Sequence, residues 1–304
     1  MKNKYHGIII PIITPITVNE EVDEQGFRAL LEHCIANHLT DGIFVTGTNG
    51  ECMTLTQAQR EKAIKIVIDQ CKGKVPVICG AMDSSTRRVI DNIKRIEQLG
   101  GTASVVTPSF YSTFSSQDEI IRHFEQISAN TSTDLIVYNT PKYIGGKISF
   151  KTVTELAKID RVVAYKDSGN DFQEFLKCLD YFRGSSFSLF QGVSNLVVPS
   201  VLLGADGYIP SLAPLFPSLY ISVYKAASDK DIDRATAYNT LLLDVQKMLG
   251  MARNGVAAVK YLLAQLGYTD KRVLQPNEPL SQFEEQNILA HYKSVTERVR
   301  AAGI

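Results

Sequence analysis

Short apolar runs alternate along the chain with longer stretches whose apolar residues recur every three or four positions. The short runs span 7–13, 41–46, 75–79, 103–106, 135–138, 162–166, 187–191 and 206–209. They are rich in β-branched residues and nearly continuously apolar, the pattern of strands buried on both faces. The stretches between and after them, 24–39, 56–72, 86–99, 117–129, 151–158, 171–182, 195–203 and 216–227, predict helices. Strand–helix units in unbroken succession predict parallel strands joined by helical crossovers. Eight units fit a closed (β/α)8 TIM barrel, an α/β fold. A doubly wound open sheet is the competing arrangement. It usually carries a glycine-rich first turn, and Thr14-Pro15-Ile16-Thr17 contains no glycine. After residue 228 the alternation stops. Residues 229–249, 254–266 and 282–300 predict three helices, broken at Gly250, at Gly267 and over 276–279. The expected organisation is a catalytic barrel over 1–228 with a C-terminal helical domain over 229–304.

Composition narrows the class. The chain has 304 residues, 44% apolar and 21% charged, enough to fill such a core. Its 32 lysines and arginines balance 32 aspartates and glutamates, which removes a broad electrostatic drive towards nucleic acid or an anionic membrane. Cys34, Cys52, Cys71, Cys79 and Cys178 are odd in number and never spaced as CxxC. They read as reduced thiols of a cytoplasmic protein. The opening MKNKYHGIIIPIITPIT places basic residues before an apolar run, as a signal peptide does. Pro11 and Pro15 interrupt that run and no small-residue cleavage site follows, so it reads as a first strand. No stretch reaches the apolar length of a membrane span.

In a barrel of this kind, chemistry comes from the carboxyl ends of the strands. Those ends carry Gly47-Thr48-Asn49-Gly50-Glu51, Thr107-Pro108-Ser109-Phe110-Tyr111, Tyr138-Asn139-Thr140-Pro141, Lys166-Asp167-Ser168-Gly169, Gly192 with Ser194 and Asn195, and Pro210 with Ser211. No histidine, cysteine and carboxylate set has metal-ligand spacing, so no metal is expected. His6, His33, His38, His123 and His291 all lie away from the strand ends, which argues against a histidine base. GTNGE lacks the lysine and hydroxyl residue that complete a P-loop. A lysine and a tyrosine remain, on adjacent strands. Lys166 is either a strand end reaching water or a Schiff-base nucleophile. A lysine enclosed by apolar groups loses its proton more readily, and the neutral amine attacks ketones. The resulting imine stabilises a carbanion on the neighbouring carbon, as carbon–carbon bond making and breaking requires. Tyr138 is either an interior aromatic or the group that moves the proton, and GTNGE is either a turn or part of the site. Strand alternation places Val162, Ala164 and Lys166 on one face and Val163 and Tyr165 on the other.

Three segments, GTNGE, YNTP and KDSG, resemble in order and spacing the signatures of the dihydrodipicolinate synthase/N-acetylneuraminate lyase superfamily. The later Gly204-Ala205-Asp206-Gly207-Tyr208-Ile209 and the opening GIIIPIITPIT also resemble segments of that family, so the likeness spans essentially the whole chain. It implies a pyruvate-dependent class I aldolase or lyase with no cofactor beyond the covalent Schiff base between pyruvate and Lys166. Tyr138 would be the general acid/base and Thr48 its relay partner. Backbone amides around Thr48 and Asn49, in the turn begun by Gly47, would hold the pyruvate carboxylate. The Ile209 carbonyl would face the site, and Gly192 and Ser194 would border the substrate. The family is usually homotetrameric, a dimer of dimers, and acts on small molecules.

The departures from the family pattern bear on the substrate. Asn49 replaces the second hydroxyl residue of a GTTGE-type turn, and Met82 stands where glycine is usual. Phe110 occupies the place of a tyrosine that reaches a neighbouring subunit, so either Tyr111 replaces it with a shifted backbone or that intersubunit relay is absent. Tyr143 stands where synthases acting on aspartate semialdehyde carry an arginine, and a phenol has no bidentate fork for a carboxylate. Acidic residues that meet sugar hydroxyls in sialic acid lyases are Ser194 and Asn195 here. The leading expectation is therefore reversible cleavage of a 2-keto-3-deoxy sugar acid to pyruvate and an aldehyde. The alternative is a 4-hydroxy-tetrahydrodipicolinate synthase condensing pyruvate with aspartate semialdehyde. A third is a keto-acid-binding barrel without turnover.

Overall fold

The computed structural model of the protein describes residues 3–112 and 114–304 and, of Asn37, the backbone alone. Met1 and Lys2 of the basic opening lie outside the described residues. Eight parallel strands close into a barrel in chain order: β1 (Gly7–Pro11), β2 (Gly42–Val45), β3 (Val77–Gly80), β4 (Ala103–Val106), β5 (Asp134–Asn139), β6 (Val162–Asp167), β7 (Ser188–Gln191) and β8 (Gly207–Tyr208). β8 pairs back onto β1 through Gly7 with Gly207 and Ile8 with Tyr208, so no edge is left open. Around the strands lie α1 (Glu24–Ile35), α2 (Gln57–Cys71), α3 (Thr86–Gln98), α4 (Gln117–Asn130), α5 (Pro141–Ile144), α6 (Phe150–Leu156), α7 (Phe172–Tyr181), α8 (Val197–Leu202) and α9 (Pro217–Ser228). A C-terminal extension follows: α10 (Ile232–Gly250), α11 (Gly255–Gln265) and α12 (Gln282–Ala301). α10 packs on α9 and on α12.

Most of these helices start where a short polar side chain satisfies a free backbone N–H; α4, α5, α8 and α9 do not. Asp23, Thr56, Ser85, Ser149, Asp171, Asp231, Asn254 and Ser281 each accept such a bond. Losing one such cap costs about 1 kcal/mol. Two expected boundaries move for clear reasons. The first helix stops at Ile35 because Ala36 turns extended, and a 3-10 turn over Ala36–His38 follows, with His38 at φ 57°. β3 begins at Val77 because Pro76 has no N–H to pair, although its carbonyl accepts from Ile43 at 3.0 Å.

The barrel has two apolar layers. One fills its interior and includes Ile9, Phe44, Ile78, Ile136, Tyr138, Ala164, Phe190 and Ile209. The other lies between the strands and the helices and includes Val45, Val137, Val162, Tyr165 and Leu189. Here the expected alternation along β6 fails at its start. The β5–β6 register runs Leu135 with Val162 but Ile136 with Ala164. One extra residue is thereby inserted, and an insertion of one reverses which face a side chain takes. Val162 joins the outer layer and Val163 packs against the interior one. From Ala164 onward the expected faces hold: Ala164 is interior and Tyr165 is outside.

Candidate active site

The register that places Ile136 beside Ala164 also places Tyr138 beside Lys166 at the carboxyl ends of β5 and β6. Lys166 is only 5% exposed. Its Nζ lies 4.0 Å from the centroid of the Tyr138 ring and 5.2 Å from that of Phe44. The lysine therefore ends inside an aromatic pocket and does not mark where the strand meets water. An ammonium over two aromatic faces is held by their quadrupoles.

Tyr138 is buried, and burial pushes its hydroxyl's pKa up. The charge of Lys166, together with the hydroxyls of Ser168, Thr140 and Thr48, outweighs that push and leaves it below the usual phenol value. A phenol so placed gives up its proton more readily than free tyrosine does.

Thr48 and Asn49 sit on the turn after β2. The turn is tight at both ends, with Thr46 at φ 51° and Glu51 at φ 57°. The Thr46 hydroxyl donates to the carbonyls of Val45 at 2.8 Å and Gly80 at 3.1 Å. Gly47 is packed so closely that an added Cβ would stand 2.7 Å from the Phe44 ring. The Asn49 amide donates to the carbonyls of Ser211 at 2.8 Å and Pro11 at 3.3 Å, tying the turn to the ends of β8 and β1. Its side chain is thus occupied. The backbone N–H groups of Thr48 and Asn49 have no protein acceptor among the described residues. Adjacent free N–H groups in a turn are an anion-binding arrangement.

Two connected cavities open above these groups. The larger, about 870 Å³, is lined by Lys166, Tyr138, Thr48, Asn49, Tyr143, Gly192, Ser194, Asn195 and Ser211, with Lys142, Arg253, Asn254, Asn277 and Glu278 farther out. The smaller, about 340 Å³, shares Thr48, Tyr138 and Tyr143 and adds Cys52, Met82, Thr107 and Phe110. Gly192 leaves the room above the lysine: a Cβ there would stand 2.1 Å from Ser168 Oγ and 3.3 Å from Lys166 Cε.

The structure thus gathers Lys166, Tyr138, Thr48, Asn49, Tyr143, Gly192 and Ser194 around one cavity system. Ser194 turns its hydroxyl to Tyr208 and to Gln246 Oε1, the latter at 2.7 Å. Gly47 and Ile209 line neither cavity: Gly47 supports the turn, and Ile209 lies in the interior layer with Tyr138. Tyr111 is 97% exposed, with φ 72°. Tyr143 is carried by α5, a single turn started by Pro141 and ended by Gly145 at φ 69°. Sequence reasoning passed over that turn, and also over Lys260, a lone lysine in the apolar run VAAVKYLL.

Among the described residues no cluster of three or more histidines, cysteines and carboxylates is placed to hold a metal ion. No helix among them is long and apolar enough to cross a membrane.

Comparison with known proteins bears on the family and the fold. A model of the dihydrodipicolinate synthetase family matches residues 4–295. The 4-hydroxy-tetrahydrodipicolinate synthase of Thermomicrobium roseum is 31% identical over 284 residues, 93% of this chain and 92% of that one. The crystal structure of dihydrodipicolinate synthase from Aquifex aeolicus superposes with a TM-score of 0.90 at 28% identity, covering 96% of this chain and 98% of that chain. YagE, a prophage protein of the dihydrodipicolinic acid synthase family from E. coli K12 solved in complex with pyruvate, gives 0.91 at 25% identity, covering 96% and 99%.

Proposed function

Because the chain belongs to the dihydrodipicolinate synthetase family, whose members are class I aldolases that join a lysine to pyruvate as a Schiff base without an external cofactor, we propose that Lys166 is that lysine and that the acceptor is aspartate semialdehyde. The protein would then be a 4-hydroxy-tetrahydrodipicolinate synthase. The near whole-chain likeness to proteins of that name carries the reading. It displaces sugar-acid cleavage from the leading place that sequence alone had assigned it.

The steps follow from the side chains. The free N–H groups of Thr48 and Asn49 take the pyruvate carboxylate and aim its keto carbon at Lys166 Nζ. The neutral amine adds to that carbon, and Tyr138 protonates the oxygen as it leaves as water. Tyr138 and Thr48 then carry a proton from the methyl carbon, giving an enamine. The enamine carbon attacks the acceptor aldehyde, and Tyr138 returns a proton to the new alkoxide. Attack of the acceptor's amino group on the imine carbon closes the ring and frees Lys166. The acceptor carboxylate needs a cation. Tyr143 supplies none, but Lys142 on the same turn and Arg253 across the cavity both line it. Arg253 already pairs with Glu278 at 3.2 Å, whereas Lys142 has no carboxylate partner among the described residues. Lys142 is the group we assign.

A second reading keeps a specific observation in its favour. Tyr143, Asn195 and Ser211 present uncharged polar groups to the cavity, which suits a hydroxylated acceptor and so a 2-keto-3-deoxy sugar acid. Parallel assays decide between them: condensation of pyruvate with aspartate semialdehyde, and pyruvate release from a panel of such sugar acids. A negligible condensation rate beside brisk cleavage overturns the synthase reading.

The same family reading carries a cytoplasmic homotetramer. A bulky residue at positive φ is strained, and such strain gathers at functional positions. Tyr111 is both strained and exposed, as a residue reaching into a neighbouring subunit's site would be, while Phe110 lines its own cavity. Sedimentation of the purified protein as a monomer would remove this assignment.

A further inference from the structure

Glu51 closes the GTNGE turn, and nothing in pyruvate chemistry calls for a carboxylate there. Its side chain is 2% exposed and pairs through Oε2 with the Lys260 ammonium of α11, whose side chain is 0% exposed. Its other oxygen, Oε1, accepts from the Leu274 N–H at 2.8 Å. Burial pulls the Lys260 ammonium below its ordinary pKa while Glu51 opposes that fall.

A buried ion pair is a weak source of stability, because desolvation offsets its attraction; an apolar pair of similar volume often serves as well. What it does provide is a fixed geometry. The Glu51 N–H donates to the Thr48 carbonyl at 3.1 Å, and the Glu51 carbonyl accepts from Thr54 at 2.9 Å and Leu55 at 3.2 Å. The residue that holds the carboxylate is therefore the one that shapes the turn around Thr48. On the far side, Lys260 lies in the helix capped by Asn254, and Leu274 leads into Pro276, Asn277 and Glu278. Asn254 and 276–278 line the large cavity. A single carboxylate thus joins the floor of the site to two segments of its wall, both from beyond the barrel.

We infer that the Glu51–Lys260 pair is a positioning device through which the C-terminal helices set the attitude of the Thr48 turn, and with it the pyruvate carboxylate site and the proton relay. The inference rests on the placing of Thr48 and Lys166 proposed above. Lys260 lines neither cavity; Glu51 borders the smaller one, but both oxygens of its carboxylate are taken up by Lys260 and by the Leu274 N–H and not offered to substrate.

The test uses the full chain and two variants. Glu51→Gln/Lys260→Met removes both charges at nearly constant volume. Glu51→Asp keeps the charge but draws the carboxylate back by one methylene, too short to reach both partners. Each is read by its melting curve, by KM for pyruvate, and by the rate at which pyruvate and borohydride add covalently to Lys166. Displacing reacting groups by about 1 Å costs up to about a hundredfold. In the folded neutral variant, trapping is expected to slow by about tenfold or more, with KM for pyruvate raised. Glu51→Asp is expected to fall between it and the wild type. Lower melting temperatures with wild-type KM and trapping rate overturn the inference and leave the pair a structural prop. Should the neutral variant fail to fold, Glu51→Asp alone decides in the same two directions. Absence of any adduct in the wild-type protein strikes the Lys166 assignment instead.

Discussion

Gly192 is the position where one added methyl group tests the whole site. In Gly192→Ala the new Cβ would stand 2.1 Å from Ser168 Oγ, 2.8 Å from the Asp167 carbonyl oxygen and 3.3 Å from Lys166 Cε. Ser168 can rotate away, but its hydroxyl is one of those that lower the pKa of Tyr138. The Asp167 carbonyl is backbone. It accepts from Gly192 N at 2.7 Å, and the Asp167 carboxylate is held by Asn139 at 2.6 Å and by Gly169 N at 3.2 Å. To reach ordinary contact at 3.4 Å that carbonyl must give by about 0.6 Å, next to Lys166, the proposed nucleophile. Overpacking of this kind costs about 1–3 kcal/mol of stability. A half-ångström shift at the reacting amine should slow Schiff-base formation by about tenfold or more. The control is Gly184→Ala. Gly184 sits at φ 76° with nothing near its Cβ, so that change strains the backbone far from the site. Pyruvate–borohydride trapping followed by intact mass, alongside melting curves, separates the two. If Gly192→Ala melts lower but traps pyruvate at the wild-type rate, Gly192 is not holding space over Lys166 and the proposed pose of the lysine is wrong.

Three further outcomes are expected. Lys166→Ala should give no borohydride adduct and no turnover while keeping its fold; an adduct of unchanged mass would place the nucleophile elsewhere. Tyr138→Phe should lower kcat by about a hundredfold to ten-thousandfold. It should also abolish the rise of kcat with pH through a pKa below the ordinary phenol value, since the base form of Tyr138 is populated only above its lowered pKa; a wild-type pH profile in the variant refutes the role. His123, buried on α4, has its pKa lowered by burial from 6.5 to about 4, with the Thr107 carbonyl at 3.2 Å opposing. Between those values the unfolded chain binds a proton that the folded one refuses. The stability is full above about 6.5, falls as pH drops towards 4, and the loss amounts to about 3 kcal/mol in all. His123→Gln should flatten that stretch of the stability–pH curve, and an unchanged slope would refute the assignment.

The barrel was legible because its strands are buried on both faces and so stand out as unbroken apolar runs, and because the helices between them repeat every three or four residues. The placing of Lys166 beside Tyr138 at the carboxyl ends of adjacent strands was legible because it needs only the strand count and not the side-chain packing. What stayed hidden has one physical character: it is decided by a neighbour distant in sequence. The Val162–Val163 reversal belongs to the pairing with β5, which no periodicity within β6 can reveal. The α5 turn that carries Tyr143 is four residues long, too short to show a period. Ser194 was placed at the right loop, but a hydroxyl turns towards its best partner, and Tyr208 and Gln246 claim it. Lys260 lies 209 residues from Glu51 and looks like an intrusion in an apolar helix until the turn that receives it is in place. A lone charge in an otherwise apolar helix is therefore worth treating as a request for a partner. Burying it unpaired would cost several kcal/mol, so the fold must bring an opposite charge to meet it. Here the partner is the last residue of the turn that holds Thr48. Tyr143 is the opposite case, half exposed and uncharged. A phenol half in water has no such obligation, so its place above the cavity does not by itself oblige a particular acceptor. Under the synthase reading proposed above, the choice passes to Lys142 beside it, which lines the same cavity.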